Sequence, residues 1–209
     1  SVQPEDLADL IGLKELLIEF NEIRVVRNDS FVSQTKLRIL SFGSNRLVEI
    51  EPHALRGAVA LQELYLYNNE LETIDLKECL SGLSKLKTLH LYSNKIKVIG
   101  TDSFKAQPYL DYLEIKLNNI QVLESRAFCG LALLPELDLS FQGVALIAPY
   151  AFFDMASLVT LLLSSNHIEQ LDAFTFVRLT KLQSLELQNN RILFIHRKAF
   201  CNLTSLLNL

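Results

Sequence analysis

Three cysteines, four histidines and two Asn-X-Ser/Thr triplets are the residues of this chain whose types invite chemistry. Cys79, Cys129 and Cys201 offer either a disulfide or a thiolate nucleophile. His53, His90, His167 and His196 are candidate bases or metal ligands. No two of them stand at an HxxxH spacing and none sits in a Cys/His cluster, so no metal site is expected. The chain has no Gly-rich phosphate loop and no GxSxG elbow, and nothing places its serines, histidines and aspartates as a triad. An enzyme is therefore not expected, and no cofactor is implied. Asn28-Asp29-Ser30 and Asn202-Leu203-Thr204 are acceptor sequons, which makes Asn28 and Asn202 the candidate glycosylation sites.

What must position these residues is a repeat. The pattern LxxLxLxxNxL begins at Leu13, Leu37, Leu61, Leu86, Leu110, Leu134, Leu158 and Leu182, at steps of 24 residues with a single step of 25 before Leu86. Thirteen positions after each leading Leu stand Val26, Ile50, Ile74, Ile99, Leu123, Ile147, Leu171 and Ile195. Eighteen positions after it stand Phe31, Leu55, Cys79, Phe104, Phe128, Phe152, Phe176 and Phe200. One repeat cannot bury its leucine face alone, so neighbouring repeats must stack in a parallel ladder. The expected fold is a single α/β solenoid over residues 1–209, right-handed and curved. About eight parallel strands should line its concave side, with an irregular or short-helical convex side. Residues 1–12 read as a partial repeat and Leu206 opens a partial ninth. The chain thus reads as a stretch of a longer solenoid, with terminal caps absent.

The register decides the cysteines. Cys129 and Cys201 share one offset three repeats apart, roughly 14 Å at ~4.8 Å per rung, and Cys79 lies two rungs from Cys129. A bridge needs Cα atoms within about 7 Å, so all three are expected to be unpaired core thiols beside the phenylalanine column. The Asn column (Asn21, Asn45, Asn69, Asn94, Asn118, Asn166, Asn190) is expected to end each strand, its amide serving the backbone of adjacent turns. Gln142 breaks that column and is followed by Gly143, so a local adjustment is expected there without a break in the solenoid.

This repeat, with Asn at its ninth position and Phe near its nineteenth, resembles the 24-residue repeat of extracellular leucine-rich repeat proteins. Toll-like receptor ectodomains, variable lymphocyte receptors, small leucine-rich proteoglycans and leucine-rich-repeat G-protein-coupled receptors share it. The resemblance covers essentially the whole chain. It implies a secreted or cell-surface location and a protein, glycan or pathogen-derived ligand.

Alternation places the third, fifth and seventh motif positions on the outward face of each strand. Four of the six tyrosines fall there, Tyr65, Tyr67, Tyr92 and Tyr112, with His90 among them. The same positions hold Glu15, Glu19, Glu63, Glu114, Glu136, Asp138 and Glu186 against one base, Lys116. Tyrosine is a common interface anchor, and an acidic sheet attracts a cationic patch. The expected ligand site is therefore Tyr65, Tyr67, His90, Tyr92 and Tyr112, flanked by Glu63, Glu114, Lys116, Glu136 and Asp138. Tyr65, His90, Glu114 and Asp138 should form one row, and Tyr67, Tyr92 and Lys116 the next. The chain reads as the recognition module of a cell-surface or secreted receptor, of innate-immune type by the resemblance. The alternative is a matrix or assembly protein that self-associates through its sheet. A net charge of −4 gives no reason to expect nucleic acid, and no apolar run approaches the ~20 residues of a spanning helix.

Overall fold

The computed structural model describes residues 1–72 and 75–209, which leaves Ile74 of the thirteenth-offset column outside the described residues. Eight three-residue strands, one per repeat, occupy the third to fifth motif positions: Glu15–Leu17, Ile39–Ser41, Glu63–Tyr65, Thr88–His90, Tyr112–Glu114, Glu136–Asp138, Thr160–Leu162 and Ser184–Glu186. The pairs that form are all parallel and in the register of the repeat, with Leu40 beside Leu64, Leu64 beside Leu89 and Leu89 beside Leu113. These leucines point inward and those at Leu40, Leu64 and Leu89 are fully buried, as period-two alternation requires.

Just past each strand the chain turns through a left-handed residue at the eighth motif position: Phe20, Ser44, Asn68, Ser93, Leu117, Phe141, Ser165 and Asn189, all with φ between 51° and 57°. The asparagine that follows closes the turn rather than the strand itself. Asn69 is typical. Its Nδ2 donates to the carbonyls of Phe42, Leu66 and Tyr67, and its Oδ1 accepts from the N–H of Leu47 one repeat back. From repeat two onward each rung is thereby tied to its predecessor by a side-chain amide, and by the ladder as well except between repeats five and six.

The convex side is more ordered than expected. Two-residue parallel strands such as Val98–Ile99, Val122–Leu123 and Leu146–Ile147 pair across repeats at the twelfth and thirteenth offsets. β-branched and leucine side chains at that offset alternate buried with exposed, which supports a short second ladder. Among the described residues helix is confined to Pro4–Leu7 and Leu76–Cys79. The second sits where the repeat step lengthens to 25. Asp75 caps it, accepting from the N–H of Glu78 at 3.1 Å, so the extra residue is taken up as a helical turn. Behind it the phenylalanine column stacks as a spine, with ring centroids 5.6–5.9 Å apart from Phe104 through Phe128, Phe152 and Phe176 to Phe200. All three cysteines are free; Cys79 and Cys129 are buried, and Cys201 is half-buried.

The strand sheet is not continuous. Five strands, Glu15–Leu17 to Tyr112–Glu114, form one ladder, and Glu136–Asp138 to Ser184–Glu186 form a second of three. Pro135 supplies the reason. At the second motif position Arg38, Gln62, Lys87, Asp111, Val159 and Gln183 each donate an N–H to the carbonyl of the repeat before, and proline has no N–H to give. The return bonds are lost with it, since Ile115 and Leu117 find no main-chain acceptor in repeat six, whereas Leu91 and Ser93 donate to Glu114 and Lys116. On the convex side repeats five and six stay joined through Val122–Leu123 and Leu146–Ile147. The turn amide adapts as well: Gln142 Oε1 accepts from Asn118 N–H at 3.1 Å and its Nε2 donates to Ile115 O at 3.0 Å. The expected local adjustment at Gln142 is thus part of a one-sided opening of the sheet, with the solenoid held together behind it. Amide exchange measured residue by residue should find Ile115 and Leu117 exchanging at least tenfold faster than Leu91 and Ser93. Equal protection would mean that the concave ladder is closed.

Candidate functional site

The strand register carries Tyr65 beside His90 and His90 beside Glu114. Rings one rung apart are in stacking range, and they stack. Tyr65 and His90 lie 4.8 Å apart at 18°, and His90 and Tyr112 lie 5.1 Å apart at 40°. In the neighbouring row Tyr67 and Tyr92 stack at 5.2 Å and 10°, and Tyr65 meets Tyr67 edge-on at 6.5 Å. Five aromatic side chains from three consecutive repeats therefore form one continuous surface.

Three of the five rings are tethered by polar bonds. Tyr65 Oη donates to Glu63 Oε2 at 2.6 Å, and this bond, with some burial, pushes the phenol up to about 12. Its hydroxyl consequently stays a donor throughout the physiological range. Tyr67 reaches two rungs back to donate to Glu19 Oε1 at 3.0 Å. Gly43 makes the reach possible, because a Cβ there would stand 2.3 Å from the Tyr67 ring. Burial first, then the Glu19 bond, raises the Tyr67 phenol above its ordinary value. His90 Nδ1 lies 2.7 Å from Glu114 Oε2, which orients the imidazole within the stack. Rings held in this way lose little freedom on binding.

The acidic flank is arranged less simply. Glu114 belongs to the Tyr65–His90 row as expected, but Asp138 does not continue it, because the ladder opens between their strands. Lys116 bridges the opening instead, with Nζ 2.8 Å from Asp138 Oδ2. Burial opposes ionisation of Asp138. The bonds from Lys116 and Ser140 outweigh it and hold the carboxyl below its usual range, while Asp138 raises the Lys116 ammonium. A cleft of about 280 Å³ lies at this opening, and Tyr112, Glu114, Lys116, Glu136 and Asp138 all line it. The expected residues are thus brought together as two adjoining features, an aromatic surface and an acidic cleft. Pro135, Gly43, Leu117 and Phe141 belong to the same region and were not expected there. Pro135 in a strand register and bulky residues at a left-handed position were the available signals. The sequon residues Asn28 and Asn202 are exposed and lie outside the concave strands.

The Leucine rich repeat model matches residues 11–71, 84–143 and 156–209, and a two-copy repeat model matches 59–106. The chain belongs to the leucine-rich repeat family. Among curated proteins, Toll-like receptor 2 type-1 of Gallus gallus is 25% identical over 114 residues, 54% of this chain and 14% of that protein. Asporin of Bos taurus is 35% identical over 75 residues, 36% of this chain and 19% of asporin. This leucine-rich repeat chain therefore matches only a small part of the length of these relatives. Among solved structures, TLR13 in complex with ssRNA13 aligns over the whole chain at 25% identity with a TM-score of 0.70, using 35% of that receptor chain. Toll in its complex with Spatzle, from Drosophila, aligns over the whole chain with a TM-score of 0.80 at 22% identity, using 28% of that chain. The expected leucine-rich repeat solenoid and its likeness to Toll-like receptors are borne out. The expectation that nucleic acid is not a partner finds no support, since TLR13 is seen there with ssRNA13.

Proposed function

We propose that this chain is a ligand-recognition segment of a cell-surface or secreted receptor. In this reading it binds a protein or pathogen-derived ligand on its concave face and catalyses no reaction. The observation that carries the reading is the continuous surface of five aromatic rings on repeats three to five, two pairs of them stacked, with two of its phenols hydrogen-bonded to carboxylates. Amphipathic rings already held in place suit an interface anchor, and carboxylates around them favour a partner with a cationic patch. Likeness to Toll-like receptors and to Toll with Spatzle supports a receptor role outside the cell.

A binding screen against extracellular proteins and microbial products supplies the ligand for the test. Tyr65→Ala, Tyr92→Ala and Tyr112→Ala should each then weaken binding by at least about fivefold, or ~1 kcal/mol. Unchanged affinity in all three, with loss of binding on changing convex residues, would overturn the concave site. Self-association through the same sheet predicts instead a dimer by light scattering that the tyrosine variants convert to monomer.

A further inference from the structure

We propose that the opening between repeats five and six is a second contact site, which seats a basic side chain of a protein partner and, beside it, an apolar one. The proposal goes beyond the aromatic surface. It rests on departures from the repeat that meet at this one junction.

The first departure is the missing ladder. Ile115, Leu117 and Glu136 keep N–H groups without a main-chain acceptor, and the carbonyls of Asp111, Asp138 and Ser140 accept no main-chain N–H. At the flanking junctions the matching groups are paired. Unpaired backbone polar groups are costly away from water, so an opened ladder at one rung of a regular solenoid leaves groups that a partner can satisfy.

The second departure is the turn that follows. The eighth motif position takes a left-handed conformation that strains bulky side chains most, a rule that the small or polar Ser44, Asn68, Ser93, Ser165 and Asn189 respect. Repeats five and six place Leu117 and Phe141 there, 65% and 73% exposed. Repeat one also breaks the rule, with Phe20, but only repeats five and six do so on adjacent rungs. Exposed to this extent, the two side chains bury little apolar surface within the fold. Both sit on the turns that follow the two strands flanking the opening, and exposed apolar side chains of this kind mark a contact surface.

The third observation is the chemistry of the walls. The carboxylates of Asp111, Glu114, Glu136 and Asp138 outnumber the single Lys116, and the half-exposed Tyr112 ring stands at the mouth. Carboxylates, a carbonyl without an N–H donor at Asp111 and an aromatic face are together the partners of a guanidinium or ammonium group. An entering arginine would take over Asp138 from Lys116, whose flexible chain is half exposed and free to swing out. Local rules broken in concert at one place mark a site where stability has yielded to binding.

The test uses the full chain, labelled for amide NMR. It is titrated with the blocked tripeptide acetyl-Leu-Arg-Leu-amide and with the same peptide carrying norleucine in place of arginine. The arginine peptide should give saturable shifts at Tyr112, Glu114, Glu136 and Asp138, at least tenfold tighter than the norleucine peptide. Glu136→Gln combined with Asp138→Asn, an isosteric pair that leaves the core untouched, should remove the difference. No saturable shift at these residues, equal binding of both peptides, or an unaltered preference in the double variant would each overturn the proposal. Failure of the tyrosine variants to affect the screened ligand would bear on the aromatic surface alone, because this test uses a different probe and its variants change Glu136 and Asp138 and leave the tyrosines in place.

Discussion

Truncating Phe128 to alanine should cost about 3–5 kcal/mol of folding stability, among the largest single-residue effects available in this chain. The ring is fully buried and stacks between Phe104 at 5.9 Å and Phe152 at 5.6 Å, nearly parallel to both. Alanine would leave a cavity in the middle of a five-ring column, and the neighbours cannot collapse into it without breaking the 24-residue register. Both stacking contacts would go with it. Each repeat touches only its neighbours, so the loss should concentrate at repeats four to six, and denaturant unfolding should become less cooperative. Phe20→Ala is the contrast. That ring is 77% exposed and its removal should stay within about 0.5 kcal/mol. A cost below about 1 kcal/mol at Phe128, read from the shift in denaturation midpoint, would mean that the phenylalanine column is not core.

Asn166→Leu should cost about 3 kcal/mol or more although it keeps the number and branching of the side-chain heavy atoms. Asn166 is 3% exposed. Its Oδ1 accepts from the N–H groups of Gln142, Gly143 and Val144 at 3.2, 2.9 and 2.9 Å. Its Nδ2 donates to the carbonyls of Leu139, Leu163 and Ser164. Leucine satisfies none of them, and each buried group left without a partner costs about 1–3 kcal/mol unless water reaches it. The turn it secures is that of repeat six, whose strand lacks its ladder to repeat five and is held on the concave side by its bonds to repeat seven. Asn21→Leu offers the comparison within the same column. Asn21 is exposed and donates only to Ile18 and Glu19 of its own turn, so less than about 1 kcal/mol is expected there. Similar costs at the two positions would show that the Asn column acts through turn propensity and not through the bonds between rungs.

The difference between these two asparagines shows where reading the chain as a string stops. They occupy one motif position and are indistinguishable in sequence, yet Asn166 bonds across to the repeat before it and Asn21 only within its own turn. The same holds at Gln142. An amide on a longer stem was legible as an adjustment. That the concave ladder would open while the convex one stayed closed was not, although Pro135 stood in the donor position of the sixth repeat.

Repeat length, strand register, the buried leucine and phenylalanine columns, the unpaired cysteines and the outward direction of the tyrosines were all determined by sequence alone. Each follows from a period of 24, because a solenoid converts sequence spacing directly into neighbouring positions in space. Tertiary structure alone decided which outward side chains meet across rungs. Tyr67 bonds Glu19 over Gly43, 48 residues apart, and Lys116 bonds Asp138 across an opening that no local pattern records. Inward positions are set by a repeating demand for burial, the same at every rung. Outward ones answer only to the particular neighbours that stacking brings beside them, and at the junction of repeats five and six those neighbours are a proline, two strained apolar side chains and an acidic cleft.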